Sequence, residues 1–431
     1  MQIAMKFLLL SVLLAGAVAQ ADPREAMREA TALIEQGRNV FARSVLEPAL
    51  IDPRLTAVER ARAYYLRGYA FLAQGYSVSA RKDFNRALEF HEDNAAALIT
   101  LGDLHARGVG TARNRTLAFH MFARAAELGS HQGALFAGRA HLLGEGTAYD
   151  VAAARRLLAV AAEAGETEAM VLLGMSHREP YAEPPDAEVA KGWYEQAAAA
   201  GDARGAVAVG HMLKNGELGE PDLEQACERF QAAAEGGSAA AHASFAHCVL
   251  DDDADAARHH FERAAAGGHV NGFLGLGYLA EHGLGRKADL ASAESWYRRA
   301  AGAGSGRGQF DAARLLLARG GQEEEKEALA LLSEATQEGG AAAANAYAWV
   351  LATSQHDAHR DGKRAVQFAE YAVSQSRTAS TLDTLAAAYA EAGRWDAAVE
   401  AQGHALEANG AEDADLARRL KRYQARQPWR E

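Results

Sequence analysis

The chain has 431 residues and a net charge of −12 at neutral pH, room for two or three ordinary domains or for one long repetitive array. Hydrophobic residues make up 49 % and aromatics only 7 %, a balance that suits Ala and Leu packed between closely spaced helices. Lys and Arg are scattered and form no basic stripe, which argues against a nucleic-acid role.

Residues 1–21 read as a signal peptide. MQIAMK supplies a short n-region with Lys6, FLLLSVLLAGAVA is an apolar run, and Ala17-Val18-Ala19 or Ala19-Gln20-Ala21 offers the cleavage site. The run is shorter than the ~20 residues of a membrane-spanning helix, and no cysteine follows it to carry a lipid. An exported, acidic chain is expected, periplasmic or secreted, with cleavage near Ala19 or Ala21.

From residue 94 a phrase of small residues returns at a fixed interval. AAELG ends at Gly129, AAEAG at Gly165, AAAAG at Gly201, AAEGG at Gly237, AAAGG at Gly268, AAGAG at Gly304 and ATQEG at Gly339; the intervals are 36, 36, 36, 31, 36 and 35 residues. In the first copy Ala97, Leu101 and Leu104 share one helical face. Gly108 and Gly110 then break the chain. Leu117, Met121, Phe122, Ala125 and Ala126 form a second apolar stripe, and Gly129 stops it. Each unit is helix, glycine loop, helix, glycine stop. One such pair cannot bury its own apolar face, so the pairs must stack.

The register holds along the chain. Leu101-Gly102 returns as Leu173-Gly174 and Leu276-Gly277, with Gly138 and Gly210 in the same place; loop glycines return at Gly144, Gly146, Gly283 and Gly285. An aromatic recurs in the second helix as Phe122, Tyr194, Phe230, Phe261 and Tyr297. The pattern A-x-x-x-L-G-x-x-x-x-x-G-x-G, followed by A-x-x-W/F-x-x-x-A-A-x-x-G, resembles the Sel-one-like repeat family in seven copies over about 94–343. Three copies depart from it. The third carries Pro180, Pro184 and Pro185 in Arg178–Glu188, the fifth is shortened to Asp251-Asp252-Asp253-Ala254-Asp255, and the seventh, with Gln322-Glu323-Glu324-Glu325, is degenerate.

Both flanks resemble tetratricopeptide repeats. Tyr64, Gly68, Phe71, Ala80, Phe84 and Ala87 carry the resemblance before the array; Leu382, Ala386, Tyr389, Gly393, Ala398 and Ala405 carry it after, with Gln402 where an aromatic is usual. Leu416, Leu420 and Tyr423 stripe a last basic helix, read as a solvated end cap. The expected fold is all-α, a right-handed α/α solenoid: signal peptide 1–21, tetratricopeptide-like repeats 22–93, Sel-one-like array 94–343, tetratricopeptide-like repeats 344–411, and capping helix and tail 412–431.

Little in the chain points to chemistry. His356 and His359, in His356-Asp357-Ala358-His359, and His259-His260 lack the i, i+4 spacing that places two ligands and an acid on one helix face, and read as surface histidines. Asp251–Asp253 and Asp255 read as helix capping and not as a calcium loop, which needs about six oxygen ligands. Trp193, Tyr194, Trp296 and Tyr297 read as core. No nucleophile elbow or phosphate loop appears, and the G-x-G matches lie between helices. No catalytic, cofactor-binding or metal-binding residue is expected, and no cofactor. The two cysteines, Cys227 and Cys248, lie ten residues before and eleven after Gly237. They fall at similar heights on antiparallel neighbours, which fits either a disulfide or two buried free thiols.

Stacked pairs present a long concave wall of first helices, and the family resemblance implies a non-enzymatic interaction scaffold. In an exported, bacterial-looking chain the expected partners are envelope proteins or peptide segments bound on that wall, with no nucleic-acid partner and membrane contact only through a partner. A binder or enzyme of cell-wall fragments or saccharides, or a secreted host-directed factor, is the alternative.

Overall fold

A computed structural model describes residues 22–178, 180–182, 184–337, 340–410 and 413–431. The leader and Gly339 therefore lie outside the described residues. Among the described residues the chain is 75 % helical, with 23 α-helices and no strand. It is an all-α solenoid of helical pairs. Two compact units divide it, one ending at Asp222 and the other beginning at Leu223. None of the helices among the described residues is long and apolar enough to cross a membrane.

The first Sel-one-like pair shows how the units form. Asn94 caps helix Ala95–Arg107 by accepting from the Ala97 N–H, and Gly108 ends it in the left-handed region. Asn114 then caps helix Arg115–Glu127, and its own N–H returns to the His105 carbonyl at 2.8 Å. That double use of an Asx residue closes the loop; it recurs in full at Asp150, Asp186 and Asp289, while at Asp222 the N–H return recurs. Asp150, Asp186, Asp222 and Asp289 donate in the same way to His141, His177, Leu213 and Ala280. The proline-bearing third loop thus closes onto the same carbonyl as the glycine loops.

The AAELG phrase is a helix stop. Gly129 has φ +84°, which only glycine adopts readily. The Ser130 N–H reaches the Ala125 carbonyl at 3.0 Å and the Gly129 N–H reaches Ala126 at 2.9 Å, the paired bonds of a Schellman motif. The 6→1 bond repeats as Glu166→Ala161, Asp202→Ala197, Ser238→Ala233, His269→Ala264 and Ser305→Ala300. The carbonyls of the first alanine therefore close the stop while its methyl packs into the interior, where Ala125, Ala161, Ala197, Ala264 and Ala300 are fully buried.

Within a pair, glycine on the first helix receives the aromatic of the second. A Cβ on Gly102 would stand 2.5 Å from the Phe122 ring, one on Gly174 2.6 Å from Tyr194, and one on Gly277 2.5 Å from Tyr297. Phe122, Tyr194 and Tyr297 are accordingly buried, each contributing about 1.5–3 kcal/mol. Two expectations are corrected. Leu117 is exposed, because Ala118, one position on, takes the buried register with Phe122 and Ala125. Trp193 and Trp296 are half-buried and lie at the edge of the core, since the tyrosine after each fills the glycine slot.

First helices of successive pairs also touch one another directly: Ala95–Arg107 meets His131–Leu143, Val270–His282 meets Ala239–Val249, and Ala341–Thr353 meets Ala379–Glu391. They form a layer of their own inside each unit. Replacing Gly102 with Ala should lower stability by about 1–3 kcal/mol, as overpacking does, and Phe122→Leu in the same chain should restore part of it. Urea unfolding midpoints measure both; an unchanged midpoint in Gly102→Ala would contradict the ring contact.

Candidate functional site

A cleft in the second unit lies where the last Sel-one-like pair meets the C-terminal repeats. Helix Gly306–Arg319 ends at Leu317 and Gly320-Gly321, helix Gln322–Gln337 presents Glu325, and helix Ala341–Thr353 ends in Trp349, Val350 and Thr353. With Ser354, Gln355, His356 and Glu431 these line a cleft of about 350 Å³.

Polar order at its rim is high. His359 donates from Nδ1 to Glu325 Oε1 at 2.8 Å, and His356 Nε2 lies 4.0 Å from Oε2 of the same carboxylate. The Ser354 hydroxyl accepts from the His356 N–H at 2.9 Å. Arg360 donates to the Ser354 carbonyl at 2.9 Å and to Glu391 at 3.1 Å. The reading of His356 and His359 as plain surface histidines is therefore corrected: His359 is largely buried and held by Glu325, 34 residues away. No helical period links residues that far apart, so sequence spacing could not find the pair. Among the described residues no group of three or more His, Cys, Asp or Glu is placed to hold a metal ion.

The chain's last residues complete this face. Helix Ala414–Gln424 buries Leu416 and Tyr423. Arg419 pairs with Asp383 at 2.8 Å, and Gln402 donates to the same carboxylate at 2.8 Å and to the Leu416 carbonyl at 3.2 Å. Burial pushes the Asp383 carboxyl upward despite that arginine. Gln402 thus replaces the usual aromatic because it satisfies a buried acid. The basic helix is not simply a solvated cap: Arg419 is only 15 % exposed and stands over both Trp349 and Trp429, 5.5 Å from each ring centre.

The other singled-out residues fall elsewhere. His260 Nδ1 lies 2.9 Å from Nδ1 of the buried His242, so this histidine too has an internal partner and is not a plain surface residue. Asp253 caps helix Ala254–Ala266 through the Asp255 and Ala256 N–H groups. Arg178 grips Glu217 through Nε at 2.6 Å, and Tyr181 stacks near Tyr149 with centres 6.3 Å apart; the irregular third loop makes contacts between copies. Cys227 and Cys248 are joined by a disulfide between helices Leu223–Glu235 and Ala239–Val249, with Cα atoms 5.9 Å apart.

Helical pairs closed by Asx caps and left-handed glycine stops define an α/α repeat protein. The Sel1 repeat model matches residues 95–130, 131–166, 167–202, 203–238, 251–269 and 274–305, so the chain carries a Sel1 repeat array across 95–305. The degenerate seventh copy lies outside the match although it still folds as a helical pair. Such repeats generally serve as non-catalytic protein-interaction scaffolds. No curated protein matches the chain. Among solved structures, a protective antigen present in uropathogenic Escherichia coli strains, displaying an SLR fold, is 20 % identical over 94 % of each chain, with a TM-score of 0.48. A Sel1 repeat protein from Oxalobacter formigenes is 23 % identical over 53 % of this chain and 95 % of its own (TM-score 0.45), and yeast Tom70 is 12 % identical over 94 % and 96 % (TM-score 0.38).

Two outcomes follow for the solution protein. The Cys227–Cys248 bond spans 21 residues, and removing it by Cys→Ser exchange or reductant should cost about 3 kcal/mol. Thiol alkylation under denaturing conditions checks the bond itself: full labelling of both cysteines without reductant would exclude it. Burial also holds His105, His177, His211, His242, His260 and His269 below the usual histidine range, with His260 adding to the effect on His242 and His259 and Arg263 to that on His260. Below about pH 6.5 the unfolded chain binds protons at these sites that the folded chain refuses, so stability falls as pH drops into that window. Melting temperature should decline between about pH 7.5 and about pH 5.5, less steeply in His260→Gln; a flat wild-type profile would contradict the assignment.

Proposed function

We propose that the chain is an exported, non-enzymatic scaffold of a bacterial envelope assembly or signalling pathway, which binds extended segments of an envelope protein on its first-helix face. The observation that carries this reading is the cleft at Glu325, Trp349 and His356, where the first-helix face already holds a non-helical stretch of polypeptide ending in Glu431. A surface that seats one extended segment has the donors, carbonyls and aromatic rings to seat another. Export is supported by the apolar leader at 7–19 and by the Cys227–Cys248 pairing, which suits an oxidising compartment.

Crosslinking in intact cells followed by affinity recovery of the full chain should retrieve a specific envelope protein, with the chain itself in the osmotic-shock fraction or the medium. Recovery of a saccharide and no protein would overturn the scaffold reading. Retention of the leader-bearing chain in the cytoplasm would overturn export.

A further inference from the structure

The last six residues, Arg426-Gln427-Pro428-Trp429-Arg430-Glu431, do not continue the fold as another helix. Helix Ala414–Gln424 ends in the same stop as the Sel1 pairs, the Gln427 N–H returning to the Arg422 carbonyl at 2.9 Å. The residue in the left-handed position is Arg426, φ +56°, the only non-glycine with positive φ among the described residues. Glycine takes that position at the repeat stops, as at Gly129 and Gly304. An arginine there is strained, and Pro428 keeps the segment before it extended. The turn sends the tail back along the first-helix face.

What the tail then does resembles peptide binding. The Glu431 N–H donates to the Thr353 carbonyl at 2.9 Å. Arg430 forks: Nη1 donates to the Ala352 carbonyl at 3.2 Å and Nη2 meets Glu391 Oε2 at 2.6 Å. Arg360 holds the other oxygen of that carboxylate and also the Ser354 carbonyl, so Glu391 is aimed at the tail before the tail arrives. Trp429 packs beside the aromatic–alanine core of the C-terminal repeats, with Arg419 between it and Trp349. Glu431 lines the cleft together with the apolar Leu317, Trp349 and Val350.

We propose that this face, from Leu317 to Glu391, is a binding site for an extended protein segment that carries an aromatic residue followed directly by arginine, and that the chain's own Trp429-Arg430 is its resident competitor. The proposal rests on the scaffold reading and narrows the partner to one chemistry. Arginine is required and lysine is not equivalent, because the carbonyl of Ala352 and the carboxylate of Glu391 are met by two nitrogens of one fork. The strained Arg426 turn lowers the cost of releasing the tail.

The probe is a fluorescent peptide of the tail sequence, Arg-Gln-Pro-Trp-Arg-Glu, titrated with full-length protein by anisotropy. A docked tail leaves only a fraction of the sites open, and apparent affinity falls by that fraction. The Trp429→Ala/Arg430→Ala chain should therefore bind the probe at least ~10-fold more tightly than wild type. Adding Glu391→Gln should abolish that gain, and a probe with lysine for its arginine should bind at least ~10-fold more weakly. Arg430→Ala alone, which leaves Trp429 in place, is read against the same thresholds if the double variant does not fold. Equal binding by wild type and the opened variant, no binding by either, or equal binding of the lysine probe each overturns the proposal. An envelope partner that binds equally well to the Glu391→Gln chain would overturn it while leaving the scaffold reading intact.

Discussion

Because the glycine that ends each second helix lies in the left-handed region, the direction of the next helix is set within two residues, and the rest of the array depends on that turn. At Gly129 the chain reverses, Ser130 returns its N–H to Ala125 and at once caps the next helix with its hydroxyl. No side chain larger than hydrogen fits the backbone there without strain. The turn is short, so the flanking helices meet closely, and only small residues can stand between them. Ala125 and Ala126 face Gly133 of the next helix so tightly that a Cβ on Gly133 would lie 2.7 Å from the Ala126 nitrogen. Alanine content, glycine content and the 36-residue period are consequences of one backbone geometry.

That geometry explains which parts of the molecule were legible in its residues. The joints were, because the same φ and the same small contacts are demanded at every copy and the letters repeat. The buried ring in each pair was also legible, though its partner was not: Gly102, Gly174 and Gly277 stand out as register marks, and only the structure shows them as the floor beneath Phe122, Tyr194 and Tyr297. The Asx series at 114, 150, 186, 222 and 289 was open to the same counting and was missed, since two residue types, Asn and Asp, share the role. The cleft was not legible. Its rim joins Glu325 to His359 and its face joins Glu391 to Arg430, contacts that no local period encodes because each pair occurs once.

Where copies depart from the consensus, the departing residues have found specific partners. Arg178 in the proline-bearing loop meets Glu217, Asp253 in the shortened loop caps its helix, and Gln402 meets Asp383. The last case shows the physical trade. A buried carboxylate such as Asp383 is costly unless hydrogen-bonded and paired, and the aromatic that Gln402 replaces could offer it neither. With Arg419 supplied by the terminal helix, the acid becomes the point through which that helix is fastened to the repeats. The terminal helix in turn leads into Trp429 and Arg430, so the buried glutamine and the docked tail belong to one polar arrangement.

The disulfide sits beside a helix with little apolar burial, for a comparable reason. Helix Ala239–Val249 has 11 residues where its counterparts in the glycine-loop copies have 13, and its buried residues are Ala241, His242, Ala243 and Ala246. The equivalent helix Val270–His282 buries Phe273, Leu276 and Leu279. At roughly 25 cal/mol per Å² of apolar surface, three alanines and a polar ring stabilise far less than a phenylalanine and two leucines. His242 must also lose its charge to be buried there. The loop that follows, residues 250–253, is also shorter than the glycine loops at 108–114, 216–222 and 283–289 and holds no glycine, so the copy lacks the glycine-loop contacts as well. Cys227 and Cys248 join this helix to its neighbour Leu223–Glu235 covalently, and a cross-link restricts the unfolded chain where native burial is least able to compensate for its entropy. The shortened copy and the cysteines are thus two sides of one feature: a repeat that has lost hydrophobic surface is kept in the stack by a bond.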